Sequence, residues 1–275
     1  MPVPALRING IPALGFGTYP LTGAAAFDAV SMALELGYRH IDTAQIYDNE
    51  PEVGRAIAAS GLPRSELFVT SKVPRERLSQ SGFLPSVRQS LADLRLERLD
   101  LLLIHWPPLG TPSIEAAIDW LNEAAEAGLT ERIGISNFTV AMMQEAAARS
   151  PRKLATNQVE LHPLLDQSRL KAAADALGIP LSAYCPLARG AAVREPTVVE
   201  IGKARGVSPS AVALGWILQQ GVIALPMSTR REHAEANLDA LSLHLTDDEM
   251  ARIGALTKSN RRLVAGGEMA SLWDR

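Results

Sequence analysis

The feature that most constrains this chain is an alternation. Strand-like runs recur at Leu14–Gly17, Arg39–Asp42, Leu67–Lys72, Leu99–His105, Arg132–Ser136, Thr156–Glu160, Pro180–Tyr184 and Val222–Pro226. Between them lie Ala/Leu/Glu-rich stretches of helical period: Phe27–Leu36, Leu84–Leu94, Ser113–Ala127, Val140–Arg149, Arg169–Leu177 and Pro209–Gln219. Glycine follows several of these, at Leu36-Gly37, Ala127-Gly128 and Leu177-Gly178, where helices commonly stop. Strands alternating with helices imply a parallel sheet. Eight repeats without a long linker imply an α/β fold of one (β/α)8 TIM barrel, and 275 residues suit such a barrel. One domain over 1–275 is expected. The Asn9-Gly10 turn marks a hairpin over 1–13 that would plug the barrel floor. Residues 258–275 carry no clear period and read as a tail folded over the mouth.

In such barrels chemistry gathers at the C-terminal ends of the strands. The run Arg39–Asp42 ends in Asp42, and Tyr47 follows in the loop; the runs after it deliver Lys72 and His105. If these strands are neighbours, Asp42, Tyr47, Lys72 and His105 converge on one patch. A free phenol, with a pKa of about 10, is a poor acid near neutrality. A lysine ammonium beside it favours the phenolate and lowers that value. A carboxylate paired with the lysine keeps it charged and in place. A neutral histidine can donate a hydrogen bond to an oxygen gaining negative charge. The set suits protonation of a carbonyl oxygen while hydride reaches its carbon. It holds no redox group, so the hydride must come from a cofactor. Taken singly, each of these residues has a plainer reading: a salt-bridge partner, a snorkelling lysine, a packed tyrosine, a core histidine.

Composition narrows the partners. The net charge of −3 gives no field favouring nucleic acid or anionic membrane. The longest apolar runs are too short to span a bilayer, and Met1–Arg7 lacks the apolar region of a signal peptide. The single cysteine, Cys185, fits a reducing compartment, so a cytoplasmic location is expected. No metal-ligand spacing appears. No Gly-x-Gly-x-x-Gly follows a strand and there is no Walker motif, so any nucleotide must bind in another way.

Along nearly its whole length the sequence resembles the aldo-keto reductases. The matching words include Gly15-Phe16-Gly17-Thr18-Tyr19, Gly37-Tyr38-Arg39-His40-Ile41-Asp42-Thr43-Ala44, Tyr47-Asp48-Asn49-Glu50, Val69-Thr70-Ser71-Lys72, Leu103-Ile104-His105-Trp106-Pro107, Ile133-Gly134-Ile135-Ser136-Asn137-Phe138 and Asn157-Gln158-Val159-Glu160-Leu161-His162-Pro163. Gln45–Glu50 and the tail word Asn260-Arg261-Arg262-Leu263-Val264 are similar to the bacterial diketogluconate/methylglyoxal reductase branch.

The resemblance implies roles. Tyr47 would donate the proton, Asp42 and Lys72 would tune it, and His105 would orient the carbonyl. Ser136, Asn137 and Gln158 would hold the nicotinamide carboxamide, and Tyr184 would stack on its ring. Gly17 and Thr18 would touch the cofactor, Pro186, Leu187 and Ala188 would cover the pyrophosphate, and Ser228, Thr229 and Asn237 would meet the adenosine phosphate. Tyr19 and Trp106 would wall the substrate. Where relatives carry a lysine, an arginine and a glutamate in the last segment, this chain has Met227, His233 and Ala236. Arg230 and Arg231 are cations nearby that suit a phosphate, so NADPH is favoured over NADH or dual use. The implied activity is reduction of small 2-oxoaldehydes or keto sugar acids such as 2,5-diketo-D-gluconate, by a monomer.

Several alternatives stay open on the residues. Ser136 and Asn137 could cap the helix that follows. Asn49 and Glu50 read as caps of another. Tyr184 could be barrel core, Arg230 and Arg231 a solvated helix start, and Trp273 either a pocket wall or a pin for the tail. Two other functions share the fold: an aldolase using Lys72 as Schiff-base nucleophile, and a non-enzymatic nucleotide-binding sensor.

Overall fold

The computed structural model describes residues 6–264 and 267–274; the first residues of the expected hairpin and residues 265, 266 and 275 of the expected tail lie outside them. Strands β1 (Arg7–Ile8) and β2 (Ile11–Pro12) pair antiparallel around Asn9-Gly10. Both turn residues take left-handed φ, 50° and 77°, as a two-residue hairpin requires. Ile11 is fully buried against Phe68, Leu101, Leu103, Ala155, Ile223 and Leu225, and the Asn9 amide donates to the Ala155 carbonyl at 3.1 Å. The hairpin therefore plugs the barrel floor with apolar contacts.

Eight parallel strands follow in chain order: β3 (Phe16–Gly17), β4 (His40–Asp42), β5 (Phe68–Val73), β6 (Leu99–Ile104), β7 (Thr130–Ser136), β8 (Asn157–Glu160), β9 (Leu181–Tyr184) and β10 (Ile223–Ala224). Each of them overlaps one of the eight sequence runs; β5 extends past its run to Val73, and β7 starts before its run, at Thr130. The sheet closes on itself. Leu14 bridges Ala224 in parallel, Gly15 N–H donates to Ala224 O at 2.9 Å, and Gly17 N–H donates to Pro226 O at 2.9 Å. Close strand approach demands a missing side chain at Gly134, where a Cβ would sit 2.7 Å from Leu103 Cδ2 and 2.8 Å from Thr156 O.

All six expected helices form, and Gly37 and Gly178 end two of them in left-handed conformation. The first begins at Gly23 rather than Phe27, because Ala24, Ala25 and Ala26 are strong helix formers that carry it back towards Thr22. Helices Pro196–Arg205 and Asp247–Gly254 fall outside the expected stretches, and helix Arg231–Leu238 bears out the reading of Arg230 and Arg231 as a helix start. All three are short, the first two are weakly periodic, and in the third Thr246 and Glu249 form a reciprocal capping box that the sequence displays. No described helix is long and apolar enough to cross a membrane.

The barrel interior changes character along its axis. Apolar side chains fill the floor. Higher up, His40 Nε2 lies 3.0 Å from Thr70 Oγ1 and Thr156 Oγ1 lies 2.8 Å from Ser182 Oγ. Above this polar layer, at the strand C-termini, charged side chains begin.

Candidate active site

Asp42 closes β4 and Lys72 lies near the end of β5, the neighbouring strand. Lys72 is fully buried. A lone ammonium there would be very costly. Its Nζ instead donates to Asp42 Oδ1 at 2.5 Å, Thr43 O at 2.9 Å and Tyr47 Oη at 3.3 Å, which matches the donor capacity of an ammonium. Asp42 Oδ2 accepts from Gln158 Nε2, across the barrel, at 2.7 Å. Tyr47 ends a short 3-10 turn, Gln45–Tyr47. The loop carrying it is tied down by Asn49, whose Oδ1 accepts from Thr43 Oγ1 at 2.6 Å and whose Nδ2 donates to Leu21 O at 2.7 Å. Asn49 sits at the start of helix Glu50–Ala59 but makes no side-chain cap, and Glu50 accepts from Ser71 Oγ at 2.5 Å. The capping reading of these two side chains is thereby corrected: Asn49 ties the site loop to the loops at Leu21 and Thr43, and Glu50 ties the helix to β5.

His105 follows β6 and is 7% exposed. Its ring meets that of Tyr47 edge-on, with centroids 5.5 Å apart. His105 Nδ1 is buried without a partner, which leaves Nε2 as the nitrogen available to a ligand. The four residues predicted to converge do so. Tyr19, 57% exposed, packs on Tyr47 at 5.1 Å and forms an outer rim. Trp106 packs on Trp273 of the tail at 6.1 Å.

The electrostatics differ from expectation at one point. Burial disfavours the charged form of Lys72, but Asp42 and Tyr47 outweigh it and hold the lysine pKa above its ordinary value. A charged Lys72 is a poor Schiff-base nucleophile, which counts against the aldolase reading. Burial also pushes the Tyr47 phenol up, by more than Lys72 pulls it down. The lowering expected from the sequence is real as an interaction, but desolvation exceeds it. The resting phenol therefore keeps its proton, and the lysine charge acts on the phenolate left after transfer. Burial, reinforced by Lys72, drives His105 well below its ordinary value, so the imidazole is neutral.

The residues expected at the nicotinamide form one network. Ser136 Oγ donates to Gln158 O at 2.8 Å, Asn137 Nδ2 donates to His105 O at 2.9 Å, and Tyr184 Oη donates to Asn137 Oδ1 at 2.8 Å. Asn137 takes a left-handed φ of 64°. Thr139, not Ser136 or Asn137, caps the next helix, accepting from Met142 N–H. Gly17 and Thr18 lie beside Asp42, whose carbonyl accepts from Thr18 N–H at 3.0 Å and Thr18 Oγ1 at 3.1 Å. Pro186, Leu187 and Ala188 follow β9 in a loop where Cys185, Ala188 and Arg189 all have left-handed φ, 49°, 51° and 51°. Such backbone is unfavourable for residues with a Cβ.

The last segment separates what the sequence put together. Ser228, Thr229 and Arg230 precede helix Arg231–Leu238. Arg230 pairs with Glu232, Nε to Oε1 at 2.7 Å, whereas Arg231 reaches away to Glu35 of the first helix. Asn237 is buried and its Oδ1 has no partner.

Comparison with known proteins fits this geometry. The family model described as "Aldo/keto reductase family" matches residues 10–258. The chain belongs to the aldo/keto reductase family. It is 44% identical over 266 residues to methylglyoxal reductase DkgB of Escherichia coli O157:H7, covering 96% of this chain and 99% of that one. It superposes with a TM-score of 0.94, at 43% identity, on a crystal structure assigned to a 2,5-diketo-D-gluconic acid reductase B, covering 98% and 97% of the two chains. A Bombyx mori aldo-keto reductase in complex with NADP gives a TM-score of 0.90 at 29% identity, covering 98% and 97%. As an aldo/keto reductase the protein is an oxidoreductase, and its relatives support carbonyl reduction.

Sequence reasoning on this reductase missed the Thr43 carbonyl, a backbone acceptor with no sequence signal, and the bracing role of Asn49. One consequence of the electrostatics is measurable. His105 is neutral in the fold and protonates more readily when unfolded, so the unfolded chain binds more protons just below the ordinary histidine value. Stability contributed by its neutral state is present above about pH 6.5 and is lost as pH falls below it. Denaturant titrations from pH 7.5 to 5.5 should show a shallower loss for His105→Gln than for the natural chain. Parallel slopes would contradict a desolvated neutral His105.

Proposed function

We propose that this aldo/keto reductase reduces aldehyde or ketone carbonyls with NADPH, with Tyr47 as proton donor. The observation that carries the reading is the contact of a charged, ion-paired Lys72 with the Tyr47 phenol, beside a neutral His105. His105 Nε2 would hold the substrate oxygen in the plane of approach. Tyr47 would give its proton to that oxygen as negative charge develops. Lys72, kept ionised by Asp42, would stabilise the phenolate that remains.

The bound dinucleotide would supply the hydride. Ser136, Asn137 and Gln158 would hold its carboxamide, and Tyr184, half-buried with its hydroxyl pinned by Asn137, would offer a ring face. Gly17, Thr18, Pro186, Leu187 and Ala188 would contact the rest of the nicotinamide half. Asn237 Oδ1, a buried acceptor lacking a donor, suits the adenosine end. Ser228, Thr229, Arg230 and Arg231 would surround the phosphate there. Of the two arginines Arg230 is the better placed, since exposed pairs such as Arg230–Glu232 contribute only about 0–1 kcal/mol and a phosphate can replace the carboxylate.

Small 2-oxoaldehydes and keto sugar acids are the substrates we infer, with Tyr19 and Trp106 as walls. We further infer a monomer working in the cytoplasm, where NADPH is available and a single thiol stays reduced.

Tyr47→Phe should lower kcat by about 10²–10⁴-fold, the usual worth of general-acid help. Its affinity for reduced nicotinamide, read by fluorescence titration, should be unchanged. Turnover of methylglyoxal close to that of the natural chain would remove Tyr47 from the role. Arg230→Ala should raise the KM for NADPH by about ten-fold or more, the worth of a charged hydrogen bond, and leave that for NADH nearly constant. Equal effects on both cofactors would contradict the phosphate assignment.

A further inference from the structure

One buried carboxylate has no part in the chemistry above. Glu160 ends β8 and is fully buried, with Tyr184 as its register partner on β9. His162 Nδ1 accepts from Leu164 N–H at 3.2 Å, so its proton sits on Nε2, which donates to Glu160 Oε1 at 3.0 Å. The other donors come from far along the chain. Leu263 N–H reaches Oε1 at 2.6 Å and Val264 N–H reaches Oε2 at 2.8 Å. A buried ionised carboxylate is tolerated when several donors satisfy it. Here the donors that complete the set belong to the C-terminal segment.

That segment touches the loops beyond four consecutive strands. Glu268 lies 3.9 Å from Arg75, after β5. Trp273 packs on Trp106, after β6. The Asp274 carboxylate accepts from Val140 N–H, after β7, at 2.8 Å. Arg261 N–H and Ser259 Oγ both donate to Leu164 O, after β8, at 2.7 and 3.0 Å. The segment thus crosses the barrel mouth on the side of His105 and Tyr184.

Its docking is not uniformly favourable. Arg262 stacks on Trp273 with its guanidinium carbon 4.2 Å from the ring centroid, yet its Nη1 is buried without a partner. The charged and ionisable groups it faces, Glu160, Tyr184 and Asp274, give it no ion pair within the described residues. An unsatisfied buried N–H is recovered by hydration when the strap lifts. One interaction closes the strap and another opposes closure.

We propose that Glu160 is a positioning residue: its carboxylate latches the C-terminal segment at Leu263 and Val264, and so holds the Arg262–Trp273 wall across the substrate entrance. The latch sets how tightly a carbonyl substrate is retained and leaves the proton-transfer groups untouched. Only the kinetic part of this inference rests on the reductase chemistry proposed above.

The test uses Glu160→Gln, which keeps the shape but places an amide N–H where an acceptor stood, and Val264→Pro, which removes one of the two tail N–H donors, the one to Oε2, without touching the barrel. Trypsin cleavage after Arg262 is followed by mass spectrometry, because proteolysis reports the open population. Both variants should be cut about ten-fold or more faster than the natural chain, the effect of losing one charged hydrogen bond. The double variant should be cut no faster than either single one. The KM for methylglyoxal should rise in parallel, with kcat and NADPH affinity little changed. Unchanged cleavage in Glu160→Gln overturns the latch, as does a fall in kcat at constant KM. Additive effects in the double variant overturn it too. Should the natural chain reduce no carbonyl, the cleavage rates still decide for or against the latch.

Discussion

A fully buried ammonium is the constraint from which the upper half of this barrel follows. Lys72 has no solvent to stabilise it, so its charge persists only because Asp42, the Thr43 carbonyl and the Tyr47 hydroxyl stand within hydrogen-bond reach. Removing one partner of a buried pair commonly costs about 3–5 kcal/mol, because the survivor is left uncompensated. The requirement reaches outward. Gln158 engages the second oxygen of Asp42, Asn49 secures the loop that brings Thr43 and Tyr47 into place, and Glu50 anchors the following helix to β5 through Ser71.

The same burial shapes the chemistry by competition between effects. Desolvation raises the phenol of Tyr47 and the lysine charge lowers it; desolvation prevails. Desolvation and the lysine charge act together on His105, which is neutral. The resting site therefore holds two neutral hydrogen-bond donors beside one fixed cation. Such an arrangement favours an oxygen that acquires negative charge more than one that already carries it, which is the preference a carbonyl reductase needs.

Much of this is legible in the sequence. Eight strand-like runs and the ionisable residues ending them suffice to place Asp42, Lys72 and His105 together, because parallel neighbours in a barrel deliver their C-termini to one rim. What escaped depends on distance in three dimensions. Asn49 looks like a cap because it precedes a helix; only the fold brings Leu21 and Thr43 to it. Thr139 outcompetes Ser136 and Asn137 as cap because those two side chains are drawn into the barrel network. Arg230 and Arg231 are adjacent in sequence, yet the helix start sends them to different carboxylates. Glu160 sits in a family word, but nothing in that word announces bonds to residues a hundred positions later.

The account depends most on the lysine charge stabilising the phenolate that proton transfer leaves behind. Its most direct test is the paired variant Asp42→Asn/Lys72→Met, which deletes the charge without stranding a carboxylate. The observable is a single-turnover measurement of reduced-nicotinamide oxidation with saturating methylglyoxal. The account predicts a rate lower by about 10²-fold or more, in the range of general-acid effects, with the cofactor still bound and Tyr47 intact. A rate within a few-fold of the natural chain would contradict it.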